Sequence, residues 1–150
     1  MKKITLHSEL IYILATLILS FSSAMQTAAD LGISMIIAPA YIVRQKLTFL
    51  TFGQSEYLVQ GLVFIAFCVL MKGFKPVYLA SFGTALFYGA ALDMWRTVIP
   101  AFNQSVTVPG SMPMPARIAM LGSGMIITAT AVALFFHTYL YPQVYDFFVR

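Results

Sequence analysis

Thr16, Ser20, Ser23, Thr27 and Asp30 recur every three or four positions along an apolar stretch. On a helix that spacing lays one polar stripe down a single face and ends it at a carboxylate. Further on, Ser81, Ala85, Gly89 and Asp93 recur every four residues, a second line of small side chains leading to an acid. Hydroxyls leading to a carboxylate can line a polar crevice for a coupling ion or small solute, because acids inside a membrane commonly mark pathways. The same small residues also serve close helix packing, since lipid supplies no hydrophobic force between helices. The residues alone are compatible with both.

Asp30 also opens the break Asp30-Leu31-Gly32, where Gly32 can take a left-handed cap. Asp30 and Ser34 are each suited to cap the short helix expected next, whose positive dipole end favours a carboxylate. The functional alternative is a broken-helix site at which exposed backbone groups and an acid meet a substrate or coupling ion. Glu56 and Gln60 place one turn of polar face on the following apolar run, as a cap, a snorkelling group or a substrate contact. Arg96 stands three residues after Asp93, the spacing of an intrahelical ion pair, and also suits an interfacial anchor. His137 fits a packing histidine or a proton relay, and Asp146 lies at a break near the chain end.

Enzyme chemistry has no footing in these residues. His7 and His137 have no second ligand three or four positions away, so no metal site is expected. Neither a Ser-His-Asp spacing nor a Gly-rich phosphate loop is present, so no cofactor is expected either. The lone Cys68 excludes an internal disulfide, and the nine methionines read as adaptable packing.

The elements that must position these groups follow from composition. Sixty per cent of the residues are hydrophobic and 9% charged, against about 25% charged in soluble domains. The apolar residues come in runs rather than in alternation, which selects spanning helices and excludes a barrel. Runs at 10–29, 56–71, 77–95 and 116–141 are each long enough to cross. A fifth, 31–43, holds thirteen residues and Pro39 and reaches only about 20 Å, which suits a short or re-entrant helix. Thr51 and Gln54 have the spacing of a capping box ahead of the second run. Four prolines between 100 and 115 mark an extended loop.

The expected fold is therefore an all-α bundle of four full spans plus one short helix, in a single membrane domain over 1–150. The charge of +4 is scattered, which leaves no footprint for nucleic acid and acts on topology. If the short helix does not cross, the basic residues divide five to four; if it does, six to three. Both counts put the N-terminus in the cytoplasm of a bacterial inner membrane. The first 24 residues imitate a secretory signal, but Glu9 and the further apolar runs favour a retained first span.

At "ADLGIS" (29–34), "LTFGQSEYLVQGLVF" (50–64) and "GTALFYGAALDMW" (83–95) the chain resembles the uncharacterised YitT/YczE-type bacterial membrane proteins. One departure is Met35, where those proteins commonly carry a proline. The resemblance implies a tandem repeat, with 1–99 as the first unit and 116–150 as the start of an incomplete second. An echo lies in "LILSFSSAMQTAADLGIS" and "GSGMIITATAVALFFHTYLYP", each small and polar at its start and Ala-rich after it. A truncated chain, a homo-oligomer or a partner membrane subunit is expected on that basis. The functional expectation is a small carrier or permeation pathway using Asp30 and Asp93, against a non-transporting assembly subunit.

Overall fold

The computed structural model describes residues 3–32, 35, 37–70, 76–103 and 112–136. All regular structure among them is helical: α1 (Lys3–Ala29), α2 (Ala38–Lys46), α3 (Phe52–Leu70), α4 (Pro76–Val98) and α5 (Met114–Phe136), with a 3-10 turn at Pro100–Phe102. Glu9–Ala29, Phe52–Leu70 and Met114–Phe136 are long and apolar enough to cross a membrane. They mark a membrane protein. Four full spans were expected, and three helices among the described residues meet that standard; α4 carries Asp93 and Arg96 within its 23 residues.

Local chemistry accounts for the boundaries. Thr51 Oγ1 accepts from the Gln54 amide at 3.2 Å while the Thr51 amide donates to Gln54 Oε1 at 3.0 Å, the reciprocal capping box read from the sequence. Pro39 stands in the first turn of α2, where a missing N–H costs nothing. Consequently α2 covers 38–46 rather than 31–43, and Arg44 and Lys46 complement its C-terminal dipole. Its N-cap position is Ile37, which gives no side-chain cap, so the capping expected of Asp30 falls elsewhere. Asp30 itself, not Gly32, takes the left-handed turn after α1 at φ 50°, and Gly32 follows at φ 142°.

The chain forms two compact units, one from Met1–Ile33 with Ala91–Leu140 and one that includes Ser34–Ala90. In the first, α1 and α5 run antiparallel along a series of rungs. Tyr12 meets Phe135 edge-on with centroids 5.7 Å apart, Ser22 bonds Thr128, Gly124 abuts Gln26, and Asp30 meets Arg117. From position 12 to position 30 this is about 27 Å of helix, close to the apolar thickness of a bilayer. Phe21 holds Trp95 and Phe102 in edge contacts at 5.2 and 5.6 Å.

In the second unit Tyr41 of α2 packs on Phe52 of α3. α3 and α4 pair antiparallel, with Gly89 against Gly53 and Tyr57 at one level, and Phe82 against Gly61 and Phe64 at another. Gly89 has no room for a side chain: a Cβ there would strike the Tyr57 ring and lie 3.1 Å from the Gly53 carbonyl. The pairing therefore depends on glycine at that crossing.

Candidate functional site

The hydroxyl stripe of α1 is buried, with Thr16, Ser20, Ser23 and Thr27 all at 2% exposure or less. Each hydroxyl donates to a carbonyl of its own helix. Thr16 reaches Tyr12 at 2.9 Å, Ser20 reaches Leu17 at 2.9 Å, Ser23 reaches Leu19 at 2.9 Å and Thr27 reaches Ser23 at 2.7 Å. Short hydroxyl side chains satisfy themselves in this way when no water is at hand. Their protons are thus engaged.

Asp30 ends that stripe in a cap. The Arg117 guanidinium donates from Nε to the Ala29 carbonyl at 2.8 Å, from its terminal nitrogen to the Asp30 carbonyl, and lies 3.4 Å from Asp30 Oδ2. A cation on the last carbonyls of α1 satisfies groups that the helix cannot, and opposes its negative dipole end. Asp93 is half-buried on α4, its carbonyl accepting from Thr97 at 2.8 Å. Arg96 is buried and donates from Nε to the Phe102 carbonyl at 3.2 Å, fastening the 3-10 turn after α4. Ser34, His137 and Asp146 lie outside the described residues.

The most deeply buried acid among the described residues is Glu56, at 1% exposure, with Gln60 beside it at 0%. Gln60 Nε2 donates to Glu56 Oε1 at 3.1 Å. That bond engages one donor and one of the two carboxylate oxygens. Glu56 Oε2, Gln60 Oε1 and the hydroxyl of Ser81 are buried without a hydrogen-bond partner among the described residues. Native proteins leave few buried polar atoms unpaired, because each costs about 1–3 kcal/mol. Here three such atoms belong to α3 and α4, whose antiparallel contact has just been described.

A second polar group escaped the sequence reading. Ser22 Oγ lies 2.8 Å from Thr128 Oγ1, and Gln26 Nε2 donates to the same hydroxyl at 2.7 Å. This network ties α1 to α5 beside Gly124, where a Cβ would come within 2.8 Å of Gln26 Cγ. Polar bonds next to small residues are how helices adhere in lipid. The signal was present as a Ser-Gln pair four apart and a Gly-Thr pair four apart, but pairing them needs the register of two distant helices.

Residues 6–150 match a family of unknown function, DUF6198. The chain belongs to this family. No curated protein and no solved structure matches it. The match takes in α3, α4 and α5 whole and α1 from residue 6, so the Glu56 group and the α1–α5 network both fall within the DUF6198 region. The motifs that resemble YitT/YczE-type proteins lead to an uncharacterised family, and DUF6198 is one; the match does not carry the YitT/YczE name.

Proposed function

We propose that this DUF6198 protein is a small secondary carrier of a bacterial cytoplasmic membrane, with Glu56 and Gln60 at the polar centre of its pathway. One observation carries this: a carboxylate at 1% exposure, with one oxygen unpartnered, on a helix apolar and long enough to span. An acid at such a position costs several kcal/mol in hydrocarbon and is seldom found without a functional partner. If packing were its only task, an apolar side chain of the same volume would serve at lower cost. In this scheme α4 is the fourth span, and Asp30 with Arg117 closes the end of α1. The N-terminus is cytoplasmic, and 1–99 is a repeat unit completed by a second copy or a partner subunit.

Thiol accessibility tests it. In a Cys68→Ala background, Gln60→Cys and Ser81→Cys are expected to react with a small water-soluble thiol reagent in intact cells or inverted vesicles. If both stay inert while the exposed Gln45→Cys reacts, no wet pathway reaches the site and the carrier is overturned. The competing function is a membrane assembly subunit, favoured by the outward face of α5, where Ile126 and Phe136 are 71% and 80% exposed. It takes the lead if those thiols are inert and Gly89→Leu abolishes the folded complex.

A further inference from the structure

We infer that Glu56, Gln60 and Ser81 form a binding site for a single monovalent metal cation, an assignment that rests on the carrier proposed above and names what its polar centre takes. The three unpartnered atoms decide the chemistry. Gln60 has turned its amide nitrogen to Glu56 Oε1, so what it presents elsewhere is a carbonyl oxygen, which only accepts. An ionised Glu56 Oε2 likewise only accepts, and the Ser81 hydroxyl accepts through its lone pairs. A carboxylate, an amide carbonyl and a hydroxyl are oxygen groups of the kind with which a hard cation replaces its water.

Charge selects the valence. Glu56 is the single charge of the set, and none of the described ion pairs involves it. One monovalent cation makes the site neutral inside an apolar segment, whereas calcium and magnesium sites use more oxygen ligands, several of them charged, or retained water. The described residues hold no group of three His, Cys, Asp or Glu that could bind a multivalent or transition metal.

Geometry sets the three on two paired helices. Glu56 and Gln60 are one turn apart on α3 and already bonded. The Phe82 ring of α4 lies 3.8 Å from the Cβ position of Gly61, so antiparallel pairing sets Ser81 beside the stretch of α3 just past Gln60, about 3 Å from Gln60 and about 9 Å from Glu56 along the helix axis. Ser81 also differs from Thr16, Ser20, Ser23 and Thr27 of α1, which bond back to their own helix. Its hydroxyl, equally buried, does not.

The test is the melting temperature of the full chain, purified in detergent at a fixed pH of about 8 so that acids of ordinary strength are ionised, in chloride salts of sodium, potassium, lithium and choline at equal ionic strength. A ligand that binds only the folded state raises the midpoint with its concentration. We expect at least one alkali cation to give a saturable upward shift that choline does not give. Glu56→Gln is expected to abolish that shift, and Ser81→Ala to weaken the apparent affinity about tenfold while keeping the fold, as loss of one ligand should. Identical midpoints in all four salts overturn the cation site, as does a shift that survives in Ser81→Ala at wild-type affinity; this second variant decides the matter if Glu56→Gln fails to fold. Should Gln60→Cys and Ser81→Cys react while no cation shifts the midpoint, the pathway stands and its centre takes another ligand.

Discussion

At the scale of single residues, Asp30 and Glu56 show how two acids in one apolar chain come to differ. Asp30 holds φ at 50°, a left-handed conformation that costs most residues about 1–2 kcal/mol and that Asp and Asn tolerate better. Arg117, 16% exposed against 36% for Asp30, reaches past the carboxylate to two backbone carbonyls. Arg117→Ala is therefore expected to lower unfolding free energy in detergent by about 2–3 kcal/mol, because charged hydrogen bonds to buried carbonyls are lost. Asp30→Asn keeps both the carbonyl and the tolerance for this φ, and should cost less than about 1 kcal/mol. Equal losses in a denaturant titration would show that the carboxylate, not the backbone, is what Arg117 serves.

The helices themselves are governed by a few close approaches. Gly89 faces the Tyr57 ring and the Gly53 carbonyl, while Gly83, also on α4, has open space around its Cβ position. Gly89→Ala should destabilise by about 1–3 kcal/mol through overpacking. Gly83→Ala should stabilise by up to about 1 kcal/mol, since alanine restricts the unfolded chain and favours helix. Melting the two variants side by side checks the crossing of α3 and α4; similar effects at both would refute it. Across α1 and α5, a double-mutant cycle on Ser22→Ala and Thr128→Val should return a coupling near 0.6 kcal/mol, the usual size for hydrogen bonds between helices in lipid. The capping box at Thr51 was legible in advance because both partners lie within one turn. Such local pairs need no knowledge of the fold.

For the molecule as a whole, α2 decides how the polypeptide threads the membrane. Its nine residues reach about 13 Å, less than half the hydrocarbon thickness of about 30 Å. Met35 before it and Phe49 after it are both exposed, at 90% and 78%. With Cys68 replaced, Met35→Cys and Phe49→Cys are expected to label from the same side of the membrane. Labelling from opposite sides would mean that the segment crosses, and would restore the six-to-three distribution of basic residues.

What the residue string determined by itself was the membrane class, the helical runs, the break after Ala29 and the cap at Thr51. Each depends on neighbours along the chain: transfer of a run into lipid sums over adjacent residues, and caps and turns close within four. Which polar residues are partnered was decided by tertiary structure alone. Asp30 meets Arg117 across 87 positions and Ser22 meets Thr128 across 106, distances that only the antiparallel register of α1 and α5 can close. Glu56 reads from sequence as a capping group, a snorkelling group or a substrate contact; packing buries it and leaves one oxygen unpartnered. Depth and pairing belong to no single segment, because they arise when one helix face removes another from solvent.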